Sequence, residues 1–166
     1  MKLLFTLLAL SFSLAATAQR AKPIVSPIQS YTAKALLQRI AHPDTTYIVT
    51  FWTTWCPRCM RELPEFETLH QRYKGTAVKV LMVSLDVQAD LKTKLPLYVK
   101  SNVNAEVIWL NEKDMETYMP QIDKTWTGML PATLVLEGPA RKRTFMERVV
   151  TAGEITAMLP AAEQNK

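Results

Sequence analysis

The chain has 166 residues, of which 48% are hydrophobic and 21% are charged, and it contains only four glycines. This length and composition suit one globular domain and exclude a disordered or low-complexity chain. The formal net charge is +5 at pH 7, and the charges are interspersed along the sequence. Because no basic stripe is present, we expect no nucleic-acid partner.

The first residues have the pattern of a secretory signal peptide. Lys2 supplies a positive start, an apolar run extends from Leu3 to Leu14, and Ala16-Thr17-Ala18 has the small-x-small form of a cleavage site. The run is shorter than the ~20 residues of an ordinary membrane span. We therefore predict a signal peptide over residues 1–18, one mature domain over residues 19–166, and a location in the periplasm or another extracytoplasmic space. An uncleaved anchor or a buried helix is the alternative.

Hydrophobic periodicity divides the rest of the chain into alternating helices and strands. An extended lead-in is predicted over Ala21–Ser30. The predicted elements that follow, in chain order, are the helix Tyr31–Ala41, the strand Tyr47–Trp52, the helix Pro57–Lys74, the strand Val78–Leu85, the helix Asp90–Lys100 with a kink or break at Pro96, the strand Glu106–Leu110, the helix Asp114–Gln121, the strand Ala132–Leu136, the strand Thr144–Val149 and the helix Gly153–Leu159.

This alternation predicts an α/β fold with a mixed central sheet and helices on both of its faces. The last two strands are joined by a short turn at Gly138-Pro139, so we expect them to be antiparallel. The basic cluster Arg141-Lys142-Arg143 follows that turn and is interpreted as solvated.

Both cysteines lie in the stretch FWTTWCPRC, between a predicted strand and a predicted helix. Since proline is favoured at the first helical position, Pro57 places Cys56 at the helix N-cap and Cys59 in the first turn. The free N–H groups and partial positive charge there favour a thiolate. Because they contribute at most ~2 kcal/mol, they lower the pKa of Cys56 from ~8.5 to about 7 at the lowest. Arg58 lowers it further. We expect Cys56 to attack a disulfide and Cys59 to resolve the mixed disulfide.

Metal binding and a static disulfide are weaker interpretations of this pair. A closed zinc site needs four ligands, which would require both cysteines together with His42 and His70. His70 lies roughly 16 Å along the same helix from Cys59 and could not reach the same ion. A structural disulfide over so short a loop would constrain little chain entropy. No metal is expected, although a copper site stays open.

At these residues the sequence resembles the thioredoxin family. FWTTWCPRC is similar to its active site, Pro64 matches its helix proline, and Met129–Thr133 resembles its cis-proline loop. WCPRCMRELP is more narrowly similar to the exported thioredoxins of the TlpA/ResA type. The helix and strand between VKVLMVSL and Pro131 look like the insertion of that subfamily. The resemblance implies a thioredoxin-like fold with an inserted helix-strand segment before the cis-proline loop.

The resemblance also implies roles for residues around the pair. Pro131 would form a cis peptide beside Cys56, and the backbone of Leu130 would pair with an incoming substrate strand. Trp55, Pro57 and Arg58 would contact the substrate, Trp55 also shielding the dithiol. Trp52 is interpreted as core packing, whereas Trp126 is either a groove residue or an ordinary core tryptophan.

One position departs from the thioredoxin pattern. Thioredoxins carry a buried aspartate six residues before the first cysteine, where this chain has Thr50, which takes up no proton at neutral pH. Glu62 lies three residues after Cys59 on the same helix face. If it is desolvated near the dithiol, its pKa should rise toward neutrality, as a proton acceptor for Cys59 requires. A solvated helix carboxylate is the alternative.

Together these features predict an exported thiol–disulfide oxidoreductase that reduces protein disulfides. It would use no cofactor besides the redox-active Cys56–Cys59 disulfide, would be regenerated by a membrane thiol electron donor, and would be a monomer. A disulfide-forming oxidant, a thiol peroxidase of the same fold and a non-enzymatic metal-binding module are the competing interpretations.

Overall fold

The computed structural model describes residues 28–138 and 142–164. The predicted signal peptide, most of the extended lead-in and the centre of the Gly138–Arg143 turn lie outside these residues. Among the described residues, no helix has the length and hydropathy needed to cross a bilayer.

A mixed sheet of six strands forms the centre of the described region. The strands are β1 (Gln29–Tyr31), β2 (Thr46–Trp52), β3 (Val78–Ser84), β4 (Glu106–Leu110), β5 (Ala132–Leu136) and β6 (Arg143–Met146). Their spatial order is β1-β4-β3-β2-β5-β6, with the first four parallel and β5 antiparallel to both of its neighbours. The predicted mixed sheet and antiparallel last pair are therefore confirmed. β1 is a further strand at the end of the expected lead-in, and it includes Tyr31, which was predicted to begin the first helix; that helix begins at Ala33 instead.

Helices cover both faces of the sheet, as the sequence predicts. They are α1 (Ala33–Arg39), α2 (Pro57–Arg72), α3 (Gln88–Leu91), α4 (Lys94–Asn102), α5 (Met115–Ile122), α6 (Ala152–Met158) and α7 (Ala161–Gln164). One core cluster joins α2, α4 and α6 to one face, and a second joins α1 and α5 to the other. The cysteines belong to the first cluster, so the site lies on the α2 face of the sheet.

The alternation of strand side chains explains this division. Every residue of β2 is buried, because β2 has a strand on each side and helices above and below. Ile48 and Trp52 point into the first cluster, whereas Val49 and Phe51 point into the second. The run YIVTFW is therefore a central strand, and it leads directly into the cysteine pair.

Several predicted boundaries are wrong, and one helix was not predicted. The break in the helix Asp90–Lys100 falls at Lys92-Thr93, between α3 and α4, and not at Pro96. Pro96 is the third residue of α4, where a missing N–H costs nothing because the first turn has no intrahelical acceptors. β6 ends at Met146 instead of Val149, and the short helix α7 follows α6 without having been predicted.

Candidate active site

The two cysteines form a disulfide at the junction of β2 and α2. The S–S distance is 2.11 Å and the Cα–Cα distance is 5.3 Å. Cys56 is the N-cap of α2, Pro57 is its first residue, and Cys56 Sγ accepts a hydrogen bond from the Cys59 N–H at 3.2 Å. Cys56 is 7% exposed and Cys59 is 0% exposed. The sulfur nearer the surface is therefore the one that the sequence assigns to the attack.

The residues predicted to contact a substrate surround Cys56 at the surface. Trp55 is 62% exposed, and Pro57 and Arg58 are also exposed. Trp52 is completely buried and packs against Tyr98 with ring centroids 5.6 Å apart, which confirms its structural role. The substrate contacts of the exposed residues remain predictions.

The second loop of the site precedes β5. The Leu130–Pro131 peptide bond is cis, as the resemblance implies. β2 and β5 pair with Phe51 opposite Ala132, so Pro131 follows the same ladder toward the end of β2. Leu130 is half-buried and packs against both core clusters. This loop therefore lies at the end of the sheet where β2 leads into the cysteine loop.

Trp126 belongs to the core and does not line an open groove. It is 6% exposed, and its ring lies 4.7 Å from that of Phe51 and 5.5 Å from that of Phe145, measured between centroids. Its indole Nε1 donates to the Met129 carbonyl at 3.3 Å. The ordinary interpretation of this residue is therefore the correct one.

Glu62 is buried in α2, with 1% of its surface exposed. Its Oε1 accepts a hydrogen bond from the Val150 N–H at 2.7 Å. Burial is the main cause that raises the pKa of Glu62 from the ordinary 4.5 to about 7, and the negative charge of Glu65 adds to the rise. The hydrogen bond from Val150 and the positive charges of Arg148 and Arg58 oppose it. The alternative of a solvated carboxylate is wrong, while the predicted role as proton acceptor remains a prediction.

Several polar groups on the α2 face of the sheet lack hydrogen-bond partners among residues 28–138 and 142–164. The second carboxylate oxygen of Glu62 is one of them. The hydroxyls of Thr50 and Thr133, which face each other across β2 and β5, are two more, and both residues are completely buried. The position at which thioredoxins carry an aspartate is thus a buried, unpaired hydroxyl.

Asp86 is a site residue that the sequence analysis missed. It follows β3 and is 2% exposed. Its carboxylate accepts from the Thr54 N–H at 2.9 Å, the Thr54 hydroxyl at 2.7 Å and the Ser84 hydroxyl at 2.8 Å. The Asp86 carbonyl accepts from the indole of Trp109 at 2.7 Å. Asp86 therefore fixes the loop that carries Cys56 to the end of the neighbouring strand.

A sequence signal for Asp86 exists. An acidic residue directly after the buried strand VKVLMVSL lies at the carboxyl edge of a parallel pair, next to the end of β2. Within the described part of the chain, no three His, Cys, Asp or Glu side chains converge in a way that could hold a metal ion.

A family model described as the AhpC/TSA family matches residues 29–137. Among curated proteins, the chain is 32% identical over 66 residues to the sporulation thiol-disulfide oxidoreductase A of Bacillus subtilis, and 41% identical over 39 residues to the thiol-disulfide oxidoreductase ResA of Oceanobacillus iheyensis. These segments are 40% and 24% of this chain. They span only 40% and 20% of the two relatives.

Solved structures resemble the chain over more of its length. A thioredoxin-related protein from Neisseria meningitidis serogroup B has a TM-score of 0.59 and 25% identity, covering 73% of this chain and 85% of its own. StoA from Bacillus subtilis has a TM-score of 0.53 and 19% identity, covering 70% and 83%. The thioredoxin-like fold that the sequence predicts is therefore confirmed.

Proposed function

The chain belongs to the AhpC/TSA family, and from that premise we propose that it is a thiol–disulfide oxidoreductase that reduces protein disulfides outside the cytoplasm. The observation that carries the proposal is the Cys56–Cys59 disulfide at the N-terminus of α2, with Cys56 as the N-cap and the outer sulfur. The names of the curated relatives and the cis peptide before Pro131 support it.

The proposed reaction transfers two electrons from the dithiol to the substrate. The Cys56 thiolate attacks one sulfur of the substrate disulfide, which forms a mixed disulfide and releases the first substrate thiolate. The Cys59 thiol then loses its proton, and its thiolate attacks Cys56 Sγ. This step re-forms the Cys56–Cys59 disulfide and releases the second substrate thiolate. Both released thiolates take protons from solvent.

The α2 N-terminus lowers the cost of the first step. The Cys59 N–H that bonds Cys56 Sγ in the disulfide can bond a thiolate at the same atom. The partial positive charge of a helix N-terminus also favours the anion. Arg58 adds a positive charge in the same turn.

Glu62 is the proposed acceptor of the Cys59 proton. It lies one helical turn beyond Cys59, is buried, and has one carboxylate oxygen without a partner among the described residues. With a pKa of about 7, it exchanges a proton readily near neutral pH. Replacing Glu62→Gln should shift or flatten the pH dependence of disulfide exchange. An unchanged profile would remove Glu62 from the mechanism.

The pattern of residues 1–18 supports an extracytoplasmic location. Because thiols tend to oxidise in such compartments, a reductant there needs a continuing supply of electrons. We assign this supply to a membrane thiol donor that reduces the Cys56–Cys59 disulfide after each turnover, and we take the working form to be a monomer. Protein disulfides are the assigned substrates.

The reduction potential of the cysteine couple tests the proposal. It would be measured on the chain without residues 1–18 in thiol–disulfide buffers, with the fluorescence of Trp55 as the signal and Cys56→Ser as the control that should show no transition. We expect a value near or below the ~−270 mV of thioredoxin. A value near the ~−120 mV of a strong oxidant would contradict the reducing direction. The absence of a reversible couple would contradict the whole proposal.

One observation favours disulfide formation as a second candidate. Arg58 is exposed in the first turn of α2, between the two cysteines. A cation there stabilises the thiolate and hence the reduced form, which makes a couple more oxidising. Replacing Arg58→Ala should make the potential more negative if this effect is large, and the same titration would show it.

A further inference from the structure

Glu147, directly after β6, holds the loop that precedes the cis-proline. Its Oε1 accepts from the Thr127 N–H at 2.8 Å and from the Met129 N–H at 3.1 Å. The Thr127 hydroxyl donates to Oε1 at 3.0 Å and lies 3.1 Å from Oε2. One half-buried carboxylate thus accepts hydrogen bonds from two main-chain N–H groups and one side-chain hydroxyl of a segment about 20 residues away in sequence.

Glu147 anchors this loop at a sharp bend of the main chain. Gly128 has a φ of +97°, so the chain turns sharply between the two N–H groups that point at Glu147. The Met129 carbonyl is fixed on its other side by the indole of Trp126. Met129 therefore has both of its main-chain groups held, although its side chain is 58% exposed. The next two residues are Leu130 and the cis-bonded Pro131.

We propose that Glu147 is a positioning residue for substrate recognition, which holds the Met129–Pro131 segment in the conformation that receives an extended peptide beside Cys56. The inference rests on the proposed function and adds a residue that positions the peptide-binding segment. The exposed Met129 and the half-buried Leu130 would supply its apolar contacts with the peptide.

The geometry separates this role from the redox chemistry. Within residues 28–138 and 142–164, all hydrogen bonds of Glu147 go to Thr127 and Met129, and the loop carrying Cys56 is held by Asp86 instead. Loss of Glu147 should therefore weaken the binding of a peptide that lies along the loop. The reactivity of Cys56 should stay unchanged toward a small disulfide that does not reach Met129.

The test compares two substrates in two variants. kcat and KM would be measured with an unfolded peptide that contains one disulfide and with 2-hydroxyethyl disulfide, for the wild type, Glu147→Ala and Glu147→Gln. For Glu147→Ala, kcat/KM for the peptide should fall about tenfold through KM, because a small misplacement of a binding loop is costly. The value for the small disulfide and the reduction potential should stay within about twofold of wild type. Glu147→Gln keeps an acceptor oxygen and should recover part of the loss.

Glu67→Ala is a matched control. Glu67 accepts from the main-chain N–H groups of Asn104 and Ala105 at 2.9 and 2.8 Å, and from the Asn104 side chain at 3.1 Å. It therefore holds a loop by the same kind of bonds, but at the start of β4, the opposite edge of the parallel sheet. Its loss should lower stability without changing the ratio of kcat/KM between the two substrates.

Four outcomes would overturn the inference. A parallel loss on both substrates in Glu147→Ala would mean a general effect on Cys56, and an equal change of ratio in Glu67→Ala would mean a general effect of destabilisation. Unchanged kcat/KM values for both substrates in Glu147→Ala would mean that the loop keeps its path without the carboxylate. If the wild type exchanged with neither disulfide, the proposed function itself would fail, and the inference with it.

Discussion

Two buried carboxylates flank the disulfide, and they differ in how completely their hydrogen bonds are made. Asp86 accepts from two hydroxyls and one main-chain N–H, and it joins two strand ends. Glu62 accepts from one main-chain N–H, and its second oxygen has no partner in the described part of the chain. The comparison indicates that a saturated carboxylate fixes a position, whereas an unsaturated one is free to change its protonation.

The largest expected effect is the loss of stability when Asp86, the fully hydrogen-bonded carboxylate, is replaced. Asp86→Ala leaves the N–H and hydroxyl of Thr54 and the hydroxyl of Ser84 without their acceptor, and burial makes each loss costly. We expect the free energy of unfolding to fall by about 4 kcal/mol, measured by urea denaturation. Asp86→Asn keeps one acceptor oxygen and should lose less. If Asp86→Ala cost under about 1 kcal/mol, solvent would be satisfying the loop and the contrast would fail.

The next largest effect is the dependence of stability on pH that Glu62, the carboxylate with one unpaired oxygen, should cause. Glu62 has a pKa of about 7 in the folded oxidised protein, against an ordinary 4.5. Below about pH 4.5 both states are protonated and its contribution to stability is fully present. Between about pH 4.5 and 7 the folded state binds a proton that the unfolded state has lost, so the free energy of unfolding falls as pH rises, by about 3 kcal/mol in all.

Urea denaturation of the oxidised protein across this range checks the pH effect. Glu62→Gln has no proton to lose and should show a flatter dependence than wild type. Glu65→Gln, one turn along α2, removes a charge that adds to the rise in the pKa of Glu62, so it should flatten the dependence, but less than Glu62→Gln does. An identical slope in wild type and Glu62→Gln would contradict the assignment.

Two threonines of β2 sharpen the same comparison on a smaller scale. Thr46 and Thr50 are both completely buried, but the Thr46 hydroxyl bonds to Glu163 and to the Gly138 N–H, whereas that of Thr50 has no partner among the described residues. Valine has nearly the same shape as threonine. Thr50→Val should therefore raise the free energy of unfolding by about 1 kcal/mol, and Thr46→Val should lower it by a similar amount. Equal signs in the two variants would contradict this view.

The smallest expected effect on stability is that of Trp55, which belongs to neither carboxylate's surroundings. Trp55 is 62% exposed, so Trp55→Ala should change the free energy of unfolding by less than about 0.5 kcal/mol. Its effect should appear in the binding of a peptide disulfide, measured as a rise in KM. A large loss of stability would show that the indole packs against the fold more than its exposure indicates.

Local patterns were sufficient for much of the fold and for the centre of the site. The strand YIVTFW and the proline after Cys56 place the N-cap cysteine from a few neighbouring residues, whereas the cis peptide before β5 was expected from the resemblance to thioredoxins. Glu62 was found because it lies on the same helix as Cys59. These features depend on interactions within a single element or its turn.

The features that were missed depend on contacts between distant segments. Asp86 bonds a residue 32 positions away, and Glu147 bonds residues 18 and 20 positions away. The periodicity of a sequence does not indicate which distant loop will donate hydrogen bonds to an acidic side chain. The early end of β6 has the same origin, since Glu147 turns to the Thr127 loop and the Val150 N–H donates to Glu62.

The central place of β2 has a consequence for the dynamics of the protein. β2 is hydrogen-bonded to β3 on one side and to β5 on the other, and all of its residues are buried. Its amide protons should therefore exchange with deuterated solvent only when the whole domain unfolds, and so be among the slowest in the chain. Cys56 lies four residues beyond the end of this strand. Under the proposed function, electrons would therefore enter and leave close to the end of one of the most slowly exchanging strands.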